Sequence, residues 1–273
     1  MTAKFDQKAS VERCLEFRKR ILHISQTVTA LHIASAYSCM EIVETCYFAL
    51  MRRDKDGASP DIFVMSKGHG CLAQYVSLEK LGVLEKRHLD NYCKPGGVLG
   101  THPDYGNPGI EASTGSLGHG LTMATGMAYA HKIRKEDCNV YVVLSDGELQ
   151  EGSTWEGMMI ASSLPVTNLI AFVDLNDFQS LGRTSELHPS FYPVGAKVAA
   201  FGWEVKELEN GHDTAAIYDA VVSRKGDKPL MVICRTTKGK GVSFMENVPI
   251  WHYRAPNAEE YKIALQDLER GLR

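Results

Sequence analysis

The chain has 273 residues, 44% hydrophobic and 23% charged, a balance that excludes disordered and collagen-like classes and supplies a sizeable core. Lys and Arg total 30 against 33 Asp and Glu, a net charge of −3 with no basic block, which argues against a nucleic-acid partner. No apolar run is long enough to span a bilayer, the N-terminus is too polar for a signal peptide, and the seven cysteines show no CxxC or zinc spacing, so reduced thiols and a cytoplasmic location are expected.

In chain order, apolar residues at helical spacing predict helices over 10–32 and 38–51. Residues 61–66 (DIFVMS) read as a short strand and 70–82 as the helix behind it. The stretch 94–120 is rich in glycine and proline and cannot be regular throughout. A helix of small residues follows over 121–135. Then 139–145 (NVYVVLS) forms a β-branched run typical of a strand buried on both faces. Residues 152–163 read as a helix, and 168–174 (NLIAFVD) repeat the buried-strand pattern. Strands over 203–208 and 230–236 flank a helix over 214–223, and a last helix lies near 259–272. Strands alternating with crossover helices predict an α/β fold: a doubly wound, mostly parallel sheet flanked by helices. Without a repeat or linker, one domain over 1–273 is expected, with ligands outside the carboxyl ends of the strands.

The most informative segment is SDGELQEGSTWEG, after the strand VYVVL. Asp146 sits at the strand end, and Gly147 clears space for backbone N–H groups to approach a phosphate. Asn176 follows the next strand, about one crossover further on. Neighbouring parallel strands then deliver a carboxylate and a carboxamide to one edge, an oxygen set suited to a hard cation. Asp146 and Asp174 serve equally well as turn caps at strand ends.

His69 (SKGHG), His102 (GTHPD), His119 (SLGHG) and His252 (PIWHYRAP) lie in glycine- or proline-bearing turns, and His32 closes the first helical stretch. Imidazoles donate hydrogen bonds and move protons near neutrality, although any one of these also fits a structural role. No HxxxH or HxH spacing occurs, which disfavours a histidine-bound zinc. The run 113–120 (STGSLGHG) allows close backbone approach at a helix start, yet matches neither a P-loop nor a dinucleotide fingerprint. No GxSxG elbow is present. Lys238 and Lys240, among glycines in TTKGKGV, suit an anionic ligand or a solvated loop.

Together SKGH, GTHP, STGSLGHG, SDGELQEG through Asn176, TTKGKGVSFMEN and WHYRAP resemble, in the same order, the N-terminal diphosphate-binding half of transketolase. The similarity runs from about residue 10 to 259 and is nearest to the split form, in which two polypeptides share the enzyme. It implies thiamine diphosphate as cofactor with Mg²⁺ or Ca²⁺ held by Asp146, Asn176 and the carbonyl of Phe178. It implies that Ser145, Gly147, His69 and His252 adjoin the diphosphate, that Gly115, Ser116 and Leu117 line the aminopyrimidine side, and that His32, His69, His102 and His252 contact sugar hydroxyls. Glu151 resembles the family's acidic residue between cofactor sites. The implied reaction moves a two-carbon ketol unit from a ketose phosphate to an aldose phosphate. The implied partner is a C-terminal subunit, in an α2β2 assembly, carrying the pyrimidine-binding and C-terminal domains with their glutamate and phosphate-binding arginines.

Three departures stand out. Ser145 replaces the first glycine of the usual Gly-Asp-Gly, Ile33-Ala34 replaces the Pro-Gly after His32, and Tyr253-Arg254 occupies a position where smaller residues are usual. They point to altered sugar specificity more than to altered cofactor binding. A modified-sugar enzyme and a non-catalytic paralogue are therefore the competing expectations.

Overall fold

In a computed structural model of the chain, residues 5–29, 31–180 and 182–271 are described. Asp6 accepts a hydrogen bond from the N–H of Ala9 and caps α1 (Gln7–Ile24). This helix stops eight residues short of the sequence expectation. The Ser25 and Thr27 hydroxyls donate back to the carbonyls of Leu22 and Ile24, the local bonding by which these residues compete with a helix. The predicted 38–51 helix is a chain of three pieces: α2 (Ile33–Ser38), α3 (Met40–Thr45) and a π-turn (Cys46–Leu50).

Next come β1 (Ile62–Met65), α4 (Cys71–Lys80) and α5 (Lys86–Asp90). After the glycine- and proline-rich stretch the chain forms α6 (Gly120–Arg134), β2 (Val140–Ser145), α7 (Gly152–Ser163) and β3 (Leu169–Leu175). The chain then makes a small antiparallel ladder of β4 (Phe178–Gln179) and β5 (Gly182–Arg183), which no periodicity in the sequence announces. It continues through α8 (Thr184–Leu187), α9 (Val194–Ala200), β6 (Glu204–Leu208), α10 (Thr214–Val222), β7 (Leu230–Arg235) and α11 (Ala258–Arg270).

Five strands build one sheet in the order β1-β2-β3-β7-β6, and every pairing in it is parallel. This is the α/β, doubly wound arrangement expected from the sequence. Side chains alternate between two apolar layers, as the pleat requires. Tyr141, Val143, Ile170, Phe172, Val232 and Cys234 pack on the side of α1, α3, α4 and α10. Val140, Val142, Leu144, Ala171, Val173 and Ile233 pack on the side of α6, α7 and α9. With both faces covered, the central strands are apolar throughout, which is why they read as continuous runs rather than alternating ones. The edge strand β6 is only partly buried and carries Glu204, Lys206 and Glu207, charges that discourage pairing with another sheet.

At the carboxyl edge of the sheet a fully buried ion pair joins Lys67, just after β1, to Asp174 in β3. Lys67 Nζ also donates to the carbonyl of Ser35 in α2 (3.2 Å). The hydroxyls of Ser38 and Thr236 donate to Asp174 Oδ1, so α2 and the end of β7 join the same knot. Burial alone would lower the Lys67 ammonium, but the Asp174 carboxylate beside it prevails and raises it. Removing one member strands a buried charge, so Asp174→Ala should cost about 3–5 kcal/mol in chemical denaturation. Lys67→Met combined with Asp174→Leu should recover much of that loss. A near-neutral single variant would show that the pair does not anchor this edge.

Candidate functional site: a histidine-lined cleft over a buried carboxylate

Because β2 and β3 are parallel neighbours, with Ser145 in register with Asp174, the residues that follow each strand emerge side by side. Asp146 is fully buried there and Asn176 nearly so. Gly147 N–H donates to Asp146 Oδ1 (2.9 Å), whereas Asp146 Oδ2 is buried with no hydrogen-bond partner. Burial and the nearby Asp174 charge push the Asp146 carboxyl up to about 7. A buried carboxylate oxygen left unpaired is costly. A cation beside it removes that cost.

Asn176 is oriented on both sides. Its Nδ2 donates to Asp174 Oδ2 (3.1 Å) and to Ser38 Oγ (3.0 Å), and its Oδ1 accepts from Phe178 N–H (3.0 Å). Asp177 between them adopts a left-handed conformation (φ 65°), which turns the chain into the β4–β5 hairpin. The Phe178 carbonyl thereby lies close to Gly147, 3.9 Å from where a Cβ on that glycine would sit. One carboxylate, one carboxamide and one carbonyl form a hard-oxygen set with room for ligand oxygens. Among the described residues no cluster of three His, Cys, Asp or Glu offers an alternative metal centre.

Above this floor lies a cleft of about 250 Å³ lined by His32, His69, His102 and His252 and, across from them, by Ser145, Gly147, Glu151 and Phe178. The His32 ring centroid is 5.4 Å from that of His69, 5.9 Å from His102 and 5.5 Å from His252. Burial, the other histidines and the buried lysines lower His32 to about 3. Burial and the same lysines lower His252 to about 4, and His69 is lowered well below the ordinary value. His102 is lowered too, by burial. The cluster is thus neutral at physiological pH, able to donate and accept.

Gly115 and Leu117 also line the cleft, whereas Ser116 between them is exposed and outside the lining. Gly115 has φ 132°, and a Cβ there would lie 2.6 Å from Cδ2 of His102. Glycine is required at that point. Ser145, the substitution for glycine, is buried and its hydroxyl accepts from Glu148 N–H (3.2 Å), closing the turn after Asp146. Ile33-Ala34, the substitution after His32, is absorbed by α2, whose Ala34 carbonyl accepts from Gly239 N–H (3.0 Å). Tyr253 stacks on His32 at 4.7 Å and is half exposed.

Several members carry little signal in the sequence. Glu148 is fully buried, accepts from Gly118 N–H (2.9 Å) and from the Ser66 hydroxyl, and is pushed up to about 7 by burial. Lys238 is buried beside His252, so of the two glycine-flanked lysines only Lys240 belongs to a more open loop. His212, which nothing in its sequence context distinguishes, bridges Glu41 (2.8 Å) and Thr237 N–H (2.8 Å). Asp174 did carry a signal, since a carboxylate inside an apolar strand requires a buried cation.

The lowered histidines fix a pH dependence. Each folded value lies below the ordinary 6.5, so the unfolded chain binds more protons as pH falls through 6.5. Their contribution is complete above pH 6.5 and declines toward pH 4. Thermal denaturation of the ligand-free chain should therefore show Tm falling from pH 7 to 5, with a shallower fall in His32→Gln. An unchanged slope in that variant would contradict a neutral cluster.

Residues 18–268 match the family described as transketolase, thiamine diphosphate binding domain. The chain is 40% identical over 260 residues to one subunit of the apulose-4-phosphate transketolase of Phocaeicola vulgatus, covering 93% of this chain and 92% of that protein. It is 37% identical over 245 residues to a 6-deoxy-6-sulfo-D-fructose transketolase subunit of Clostridium sp., covering 88% of each. The solved transketolase of Leishmania mexicana superposes with a TM-score of 0.87 at 26% identity, over 99% of this chain and 42% of that one. Fold, cleft and similarity agree: this chain belongs to the transketolase family and matches its thiamine diphosphate binding domain.

Proposed function

We propose that the chain is the N-terminal subunit of a two-component transketolase, one diphosphate-binding domain acting in the cytoplasm with a pyrimidine-binding partner in an α2β2 assembly. The observation that carries this reading is the neutral histidine cleft set over an orphaned, buried Asp146 oxygen. The length relation supports it: relatives named as subunits are matched over about nine-tenths of their own length, whereas the solved transketolases are matched over less than half.

Thiamine diphosphate, when bound, supplies the electron sink for breaking and forming the carbon–carbon bond of a two-carbon ketol transfer. The residues present fit it. Asp146, Asn176 and the Phe178 carbonyl would hold Mg²⁺ or Ca²⁺ against the diphosphate, and Gly147 leaves the backbone open beside it. His69 and His252 would donate to the diphosphate side, and Gly115 and Leu117 would flank the aminopyrimidine with Ser116 at the rim. His32 and His102, held neutral, would take and return protons at sugar hydroxyls of ketose and aldose phosphates. Glu151 caps α7 at the cleft mouth, a position suited to contact across an interface between chains.

A modified sugar is the favoured substrate class within this reading. The altered segment after His32 and the Tyr253 ring stacked on it reshape the wall of the cleft, and relatives are named for apulose 4-phosphate and a sulfo-sugar.

Co-purification with a candidate pyrimidine-binding partner, followed by calorimetry with thiamine diphosphate and Mg²⁺, should give tight binding only in the pair. Ketol transfer by the isolated chain would overturn the two-component reading. Asp146→Ala should weaken metal-dependent cofactor binding by ~100-fold or more; unchanged binding would remove the assigned metal site. In the pair, modified ketoses should be turned over faster than xylulose 5-phosphate, and the opposite order would refute specialisation.

A further inference from the structure

Lys238 is 2% exposed, follows β7 in the loop that Gly239 fastens to α2, and has no part in the roles assigned above. Its Nζ lies 2.7 Å from Nδ1 of His252 and 5.4 Å from the centre of the Phe178 ring. A buried ammonium is ordinarily paired with a carboxylate, as Lys67 is. Lys238 instead spends its hydrogen bond on a neutral imidazole.

The chemistry of that contact is directional. An ammonium has three donors and no lone pair, so the ring nitrogen facing it must be the acceptor. In a neutral imidazole only one nitrogen accepts, and the proton must then reside on the other. We propose that Lys238 is a positioning residue that locks His252 in the tautomer protonated at Nε2, so that this ring meets a cleft ligand as a hydrogen-bond donor. The inference rests on the thiamine diphosphate reading only for what the donor serves: an anionic diphosphate oxygen wants N–H groups, and the wrong tautomer would aim a lone pair at it.

The neighbouring rings do not compete for this role. His32 meets His252 edge-on at 5.5 Å and His69 is tilted at 5.7 Å between centroids, distances that place rings in contact without specifying a tautomer. The ammonium is the group that distinguishes the two nitrogens.

Nitrogen–proton correlation spectra of the intact chain, labelled at histidine nitrogens and recorded at pH 7 without cofactor, test this directly. His252→Gln assigns the signal. The wild type should show His252 protonated at Nε2 and unprotonated at Nδ1. Lys238→Arg should keep that pattern, and Lys238→Met, close in shape to the lysine stem, should give a mixture of tautomers. A wild-type ring protonated at Nδ1, or a single Nε2–H tautomer persisting in Lys238→Met, would overturn the proposal.

In the reconstituted pair, Lys238→Met should weaken thiamine diphosphate binding at least 10-fold and Lys238→Arg should restore most of it. Equal binding by all three proteins would refute the donor role. Failure of the wild-type pair to bind thiamine diphosphate would refute the functional reading instead, leaving the tautomer result to stand by itself.

Discussion

The site depends on one buried contact, the ion pair between Lys67 and Asp174. Two charges taken out of water are tolerable only when each is neutralised and its remaining hydrogen-bonding capacity is filled. Here both conditions are met: Asp174 accepts from Lys67, Ser38, Thr236 and Asn176, and Lys67 donates to Ser35 as well. Those partners come from α2, the end of β1, β3 and the end of β7. Strand ends that would otherwise fray are thereby held at one point. Asn176 is aimed as a by-product, because its amide nitrogen is spent on the knot and its oxygen must face the other way.

Above the knot, the chain assembles basic groups and then suppresses their charge. Two buried lysines lie near the imidazole cluster, and burial, reinforced by their field, keeps protons off His32, His69 and His252. The Asp146 carboxyl responds in the opposite sense, rising toward neutrality. Both shifts describe a cleft that resists carrying net charge of its own. A ligand that brings its own cation and its own anion together enters such a place at less cost than either ion alone.

Much of this is legible in the sequence, and the limits have physical causes. Strands β2 and β3 are buried on both faces, so their apolar runs mark the sheet and put Asp146 and Asn176 on one edge. The motif resemblance singles out the four clustered histidines, which local spacing does not connect. What escapes is long-range or local. Lys67 and Asp174 are 107 positions apart, and nothing in either segment names the other. Ser25 and Thr27 end α1 through bonds to the backbone that an apolar spacing rule does not see. The hairpin after Asn176 rests on one left-handed aspartate, and Ser116 lies outside a cleft that both its neighbours line.

The contact between Gly115 and the His102 ring has a practical consequence for redesign. A wall made of backbone pressed against an imidazole has no side chain to trim or extend. Enlarging or narrowing the cleft at that point means moving the main chain, a far larger perturbation than a rotamer change. Tyr253, half exposed and resting on His32, is adjustable by ordinary substitution. Libraries aimed at new sugars belong at position 253, with position 115 held constant.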